Sequence, residues 1–360
     1  MGRDAASEKG GAPVSIYGRN FAANATTTFG GNAATCTGSG RRLDCTAPPH
    51  PAGIVDVAVT NPGDGTAVWS QKFEYLPAPS RSASTSNGYF VYEDFTNFPD
   101  ITGCGPKRSV GNPGVQPTMQ TWVVDTPVSA CTGVSIDATF GHSGTRSLKT
   151  TSGQPGYLFY GSKDNGASFT AAGAKEPNGL YQRWYFYISQ NDIDAARAEF
   201  AAHPSSGQWK LVLARFQGPG LMFQIGPEAC GGPSAVLMME NSGDTNDVYV
   251  SMPTNNCDNY WGGPTLTGNT WHEVQIWQQR SNSWTDARCA GITPGSAYGK
   301  AKIWLDGKLI LNVKLGCKIA LNGLADTIQG MQYLSYTQNM TKQFTQWFDD
   351  IVWANGFVDP

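Results

Sequence analysis

Apolar and polar positions alternate along most of the chain, which has 360 residues. Between residues 11 and 76, VSIYGRNF, TTTFGG, IVDVAVTNPGDG and AVWSQKFEYL follow one another, separated by Gly-, Pro-, Asn- and Asp-containing breaks. Alternation with period two, interrupted by turn residues, predicts β-strands, because successive side chains on a strand point to opposite faces. Pro77 to Asn87 (PAPSRSASTSN) has no period and reads as a linker. Alternation resumes at Tyr89 and runs to the C-terminus. LYQRWYFYIS (180–189), WKLVLARF (209–216), TWHEVQIWQQR (270–280), AKIWLDGKLI (301–310) and WFDDIVWANGF (347–357) are its clearest runs. One stretch is helical in texture, NDIDAARAEFAAH at 191–203, with Asp192 as the expected cap and Pro204 beyond its end. The pattern predicts an all-β protein in three parts: a domain over 1–76, a linker over 77–88 and a larger domain over 89–360.

Composition supports strands over helices. Gly (43), Pro (22), Trp (11) and Tyr (14) are abundant, while charged residues make up only 15%. The net charge of −3 and the lack of a basic block argue against nucleic-acid binding, which needs clustered Lys and Arg to neutralise phosphates. No run of about 18 apolar residues is present, so no membrane span is expected. The opening MGRDAASEKGG has no apolar stretch of the kind a signal peptide carries. Eight cysteines show neither a CxxC nor a Cys/His zinc spacing. Their expected use is four disulfides between sequential neighbours, Cys36–Cys45, Cys104–Cys131, Cys230–Cys257 and Cys289–Cys317. That use places the protein outside the reducing cytosol, secreted or at the cell surface. A monomer is the expected state, and no organic cofactor is indicated.

The first domain resembles the IPT/TIG family of immunoglobulin-like β-sandwiches. GAPVSIYGRNF (11–21), FGG (29–31), TAPP (46–49), GIVDVAVTNPGDG (53–65) and FEY (73–75) carry the resemblance in the family's order. It implies a spacer or accessory module, with Cys36 and Cys45 flanking the turn GSGRR. The second domain resembles the concanavalin-like, laminin-G-like jelly rolls in order and texture. YEDF (92–95), GHSGTRSLKT (141–150) and the WHEV…KIWLDGK pair with its Asp-Gly turn carry that likeness. This resemblance implies a fold that hosts lectins, glycoside hydrolases and polysaccharide lyases, so it leaves the activity open.

Alternation assigns faces to the candidate chemistry. On LYQRWYFYIS, Gln182, Trp184, Phe186 and Ile188 form one face, and Tyr181, Arg183, Tyr185 and Tyr187 the other. A guanidinium among tyrosines suits a sugar, because rings stack on the C–H face of a pyranose and the guanidinium forks onto hydroxyls or a carboxylate. On TWHEVQIWQQR, Glu273, Gln275, Trp277 and Gln279 are expected to be open, and His272 to be a satisfied, partly buried histidine. His142, in a Gly turn, reads as structural. Arg183, Tyr185 and Glu273 are the catalytic candidates. Tyr187, Lys210, Gln275 and Trp277 are the substrate-binding candidates, with a polysaccharide as the partner.

Elimination at a uronate needs a cation or amide for the carboxylate, a base for the C5 proton and an acid for the leaving oxygen. Those residue types are present, although the Arg-x-Glu-x-Arg and Gln-x-His strands of the jelly-roll alginate lyases are absent. The Glu-x-Asp-x-x-Glu strand of jelly-roll glucanases is absent too, which disfavours hydrolysis. Glu240 and Glu273 remain as single acids on separate strands. A non-catalytic lectin or adhesion module, or a structural surface protein, stays open. Finally, YEDF and WFDD are expected to lie side by side as first and last strands. Glu93, Asp94 and Asp350 there suit a structural Ca²⁺. Alternation would turn Asp349 and Asp350 to opposite faces, burying at most one.

Overall fold

The computed structural model describes residues 3–78, 89–101, 108–111, 122–125, 132–153, 157–161, 169–170, 180–203, 208–216, 221–228, 232–241, 249–250, 260–281, 298–316, 327–338, 340–354 and 356–358. The N-terminal part is a six-stranded β-unit in the order Ala5–Ser7, Gly65–Leu76, Gly53–Asn61, Thr26–Phe29, Asn32–Thr46, Pro13–Phe21. Its core takes every second residue of these strands: Val14 and Ile16, Val55, Val57 and Val59, Phe73 and Tyr75, closed by Phe29. One strand begins earlier than the alternation indicates. Ala5–Ser7 pairs in parallel with Glu74–Leu76, and its three side chains are buried. Too short to show a period, it was invisible to the pattern.

The Asn32–Thr46 strand pairs with Thr26–Phe29 through its first half and with Pro13–Phe21 through its second. Between the halves the backbone turns at Gly38, φ 109°, where a Cβ would sit 2.5 Å from the Arg42 carbonyl oxygen. Only glycine fits there. The Cys36–Cys45 disulfide ties the two halves together. Cys104, Cys131, Cys230, Cys257, Cys289 and Cys317, and the three bridges expected between them, lie outside the described residues.

The larger part is a jelly roll of two nine-stranded sheets. The first runs Val134–Asp137, Ser147–Thr151, Thr345–Ala354, Leu180–Ile188, Thr270–Ser281, Tyr298–Leu305, Lys308–Gly316, Tyr249–Val250, with Tyr89–Glu93 also paired to Thr345–Ala354. The second runs Tyr260–Thr265, Gly232–Asn241, Leu221–Glu228, Gln208–Phe216, Thr327–Gln338, Tyr157–Gly161, Trp122–Asp125, Arg108–Gly111, with Phe169–Thr170 beside Thr327–Gln338. The predicted inner face of LYQRWYFYIS lies inside: Gln182, Trp184, Phe186 and Ile188 are all buried. Trp184 and Phe348 of the first sheet meet Tyr333 of the second at ring-centroid distances of 6.5 and 5.3 Å. The Asp-Gly turn is also as read. Asp306 and Gly307 both have positive φ (51° and 71°), the geometry of a two-residue hairpin turn.

The helix spans Gln190–Ala202. Its cap is Ser189, whose hydroxyl accepts the Asp192 N–H, so Asp192 sits in the first turn and does not cap it. No helix among the described residues is long and apolar enough to cross a membrane.

The last strand departs from simple alternation. Its Thr345–Phe348 half pairs with Ser147–Thr151 and its Ile351–Ala354 half with Tyr89–Glu93, so the first and last strands do lie side by side, but Tyr92 and Glu93 of YEDF oppose Val352 and Ile351, just past WFDD. Between the halves, Arg183 opposes Val352 while Tyr185 opposes Asp349, leaving an extra residue on the last strand. Asp350, at φ 48°, lies in this bulge. Bulging breaks the period of two. Asp349 and Asp350 are therefore both buried, at 0% and 7% exposure, against the expectation that at most one would be.

Candidate functional site

The outward face of the first sheet is ordered in rows by its register. Tyr187 opposes Trp271, Tyr185 opposes Glu273, Arg183 opposes Gln275, and Tyr181 opposes Trp277. Directly opposed residues share a face. On the other side of the same strand, Tyr187 opposes Trp347 and Tyr185 opposes Asp349. Arg183, Tyr185, Glu273, Gln275 and Tyr187 are thus brought together by two adjacent strands.

Glu273 is aimed by the neighbouring hairpin. The Asp306 carboxylate accepts the Glu273 N–H (2.9 Å), and the Glu273 carbonyl accepts the Asp306 N–H (2.9 Å). The same carboxylate bonds His272 Nδ1 (2.8 Å), and His272 Nε2 meets the Thr267 carbonyl (2.8 Å). His272 is a satisfied histidine that props this strand; burial lowers its pKa, but the bonds to Asp306 and Thr267 outweigh that and raise it. With its backbone fixed, Glu273 accepts the Tyr185 hydroxyl proton at 3.0 Å. Burial and the Glu273 carboxylate hold the Tyr185 phenol well above its usual range, so it stays protonated at neutral pH. Burial pulls the Arg183 pKa down, but Tyr181, Glu273, Tyr185 and Asp350 outweigh it, and the guanidinium remains a cation. Arg183 Nε and Gln275 Nε2 are buried donors with no hydrogen-bond partner among the described residues.

His142 joins this row from a loop. Where the last strand changes neighbours, the turn after Phe140 fills the gap, and the Asp349 carboxylate accepts the His142 N–H (2.7 Å). Asp350 Oδ2 lies 2.6 Å from His142 Nδ1, and Asp350 Oδ1 accepts the Ser143 hydroxyl (2.6 Å). Where the Asp350 carboxylate accepts, Nδ1 is the donor, and in the neutral ring Nε2 is then the acceptor. The imidazole stacks on Tyr185, with ring centroids 3.8 Å apart and planes 16° apart. His142, read from its Gly turn as structural, is thus placed against Tyr185 and Asp350. Its partner Asp350 is more than two hundred residues away, and the bulge that joins them leaves no trace in the pattern.

Beside His142 lies a shelf of half-buried rings. Phe140 sits 4.7 Å from Tyr187, 5.5 Å from Trp271 and 5.4 Å from Trp347. Trp347 Nε1 donates to Asp137 Oδ2 (3.0 Å), and the Lys149 ammonium lies 5.4 Å from the Trp347 ring. Such rings, apolar on their faces and fixed at their edges, match the C–H face of a sugar.

Three groups of expected residues are placed elsewhere. Lys210 is on Gln208–Phe216, a strand of the other sheet, so it cannot share a face with Arg183. Trp277 is on the expected face but is 4% exposed, packed with Tyr181, Trp304 and Phe357 against Ala5 and Leu76 of the N-terminal unit. Gln275 is 1% exposed. Glu273, also expected to be open, is only 8% exposed. At Trp277 the row is covered by the other domain, which no periodicity within the strand can report. Glu93, Asp94 and Asp350, the residues expected to suit Ca²⁺, are each taken by neighbouring donors. Glu93 accepts the Phe95 N–H, Asp94 the Thr96 N–H, and Asp350 is taken by His142 and Ser143. Among the described residues, no group of three or more His, Cys, Asp or Glu is arranged to hold a metal ion.

Residues 5–75 match the model of the IPT/TIG domain family. The N-terminal unit is an IPT/TIG domain. No curated protein matches the chain. Among solved structures, the chain is similar to alginate lyase vAL-1 from Chlorella virus (12% identity, TM-score 0.33, covering 62% of this chain and 93% of that one). It is also similar to alginate lyase AlyC3 (10% identity, TM-score 0.32, covering 57% and 74%). A third similarity is to a binding domain of botulinum neurotoxin DC (13% identity, TM-score 0.33, covering 66% and 46%). The chain thus spans about half the length of that toxin chain.

The TIG domain is not held at a distance by its linker. Pro77 and Ala78 pack at the junction, where the Pro77 carbonyl accepts the Phe357 N–H (2.8 Å) and Ala78 N–H donates to Glu8 Oε1 (3.3 Å). Asp4 accepts from Trp304 Nε1 (3.0 Å), and Glu74 pairs with Lys302. These contacts seat the TIG domain on the jelly roll.

Proposed function

We propose that this is a secreted polysaccharide lyase acting on a uronate-containing glycan at the outward face of the first sheet. The observation that carries the reading is His142, held at Nδ1 by Asp350 and stacked on a Tyr185 that is itself hydrogen-bonded to Glu273. A base with a free nitrogen and a phenol kept protonated stand side by side, next to a guanidinium and an amide. That is the set elimination needs.

In this reading, Arg183 engages the uronate carboxylate and stabilises the negative charge that develops when C5 loses its proton, with the buried Gln275 amide opposite it on the next strand. His142 Nε2 takes that proton, and Asp350 stabilises the imidazolium. The electron pair of the C5–H bond forms the C4=C5 double bond as the C4–O bond breaks. The Tyr185 O–H turns from Glu273 to give its proton to the leaving oxygen; the phenolate is then reprotonated from solvent, and the His142 imidazolium returns its proton to solvent. Glu273 fixes the phenol's direction. Phe140, Tyr187, Trp271 and Trp347 hold neighbouring sugars by their ring faces. The Cys36–Cys45 disulfide supports an oxidising location.

The test is incubation with a panel of uronate and neutral polysaccharides, following unsaturated-uronate absorbance and reducing ends in parallel. Both signals rising together on a uronate polymer is the expected result. Reducing ends without absorbance would make the protein a hydrolase. Neither signal, with retention on a glycan column, would make it a lectin.

A further inference from the structure

The candidate face is open at one end and walled at the other. At its open end stand the half-buried Tyr187, Trp271, Trp347 and Phe140. At the other end, across four adjacent strands, Val352 and Ala354, Tyr181, Trp277 and Trp304 are each less than 5% exposed. All of them pack with Ala5 and Leu76 of the TIG domain. Register puts this wall beside the chemistry. Gln275 opposes both Arg183 and Trp304, and Trp304 donates to Asp4 of the TIG domain. Trp277 opposes both Tyr181 and Lys302, and Lys302 pairs with Glu74. From Arg183 to Tyr181 is two residues, roughly 7 Å along the strand, about the length of one sugar unit. In the other direction, the row continues through Tyr185 to the aromatic shelf without obstruction from the TIG domain.

We propose that the TIG domain is the end wall of the site, so that the protein engages the terminus of a glycan chain instead of its interior. This rests on reading the face as a glycan site. The chain end lies against Arg183 and the TIG wall, and the polymer leaves over Tyr187, Trp271 and Trp347. Cleavage beside a wall releases small fragments from one end. The TIG domain thereby sets which part of the polymer is attacked while contributing no reacting group.

The experiment is a calorimetric titration of the whole chain carrying Tyr185→Phe, which keeps the ring stacked on His142 and slows turnover. The titrants are one uronate polymer, intact and sheared to short fragments, compared at equal mass. The expected result is that binding sites per gram increase in proportion to the number of chain ends. With the wild-type chain, small fragments should then appear early while viscosity falls slowly. Sites per gram unchanged by shearing, with viscosity collapsing early, would overturn the end-wall proposal and leave the glycan reading standing. No binding of either sample would remove both.

Discussion

Glu93→Gln should leave the protein unchanged in acid and stabilise it in base. Glu93 is 2% exposed; its Oε1 accepts the Phe95 N–H at 2.9 Å, and its Oε2 has no partner among the described residues. Burial, opposed by the Phe95 bond and reinforced by Asp94 and Asp349, pushes its pKa from 4.5 to about 7. The folded state therefore holds this proton over a range in which the unfolded state has released it. Stability supplied by the protonated carboxyl is present in full below pH 4.5 and is lost as pH rises to 7. At 1.36 kcal/mol per pH unit, that interval amounts to about 3 kcal/mol. A glutamine keeps the acceptor for Phe95 and never ionises. The two proteins should unfold alike at pH 4, and at pH 8 the variant should melt roughly 6 °C higher, at about 2 °C per kcal/mol. Asp349, raised to about 7 by burial and by Asp350 against the His142 N–H, titrates in the same window and repels the ionised Glu93, so the difference between variant and wild type measures Glu93 together with that repulsion. Thermal unfolding followed by circular dichroism from pH 4 to 8 measures it. Parallel curves for the two proteins, or a variant that loses more stability with pH than wild type, would refute the reasoning.

Other substitutions probe different parts of the structure. Tyr185→Phe removes the leaving-group proton donor but keeps the stack on His142, so kcat should fall about 10²–10⁴-fold with KM nearly unchanged in a steady-state absorbance assay. Trp277→Ala empties a buried indole position at the junction with the TIG domain and should cost about 3–5 kcal/mol in denaturant unfolding; an open-face tryptophan would cost far less. Ser189→Ala removes the helix cap and should cost about 1 kcal/mol by the same measurement, whereas Asp192→Ala should cost less, since Ser189 holds the cap.

The fold was legible wherever a local rule sufficed. Alternation sorted Trp184 and Phe186 from Arg183 and Tyr185, and Asp306-Gly307 announced its hairpin. The pairing of the first and last strands of the larger domain followed from the order of strands in such sandwiches. What stayed hidden depends on contacts between distant segments. The bulge at Asp350 requires a positive φ that an aspartate does not advertise, and with it went the burial of both aspartates and the recruitment of His142. Trp277 follows the open-face pattern of its strand faithfully, and the TIG domain covers it. Lys210 offered the right charge on the wrong sheet. The candidate site was thus half visible: the residues on two adjacent strands could be read, while the loop histidine and the wall could not.

The most direct test of elimination at this face is a proton magnetic-resonance spectrum of the fragments released from a uronate polymer by the wild-type chain. The expected spectrum shows the vinylic C4 proton of a 4,5-unsaturated non-reducing end on each fragment. Fragments with saturated ends, or a polymer left intact, would contradict it.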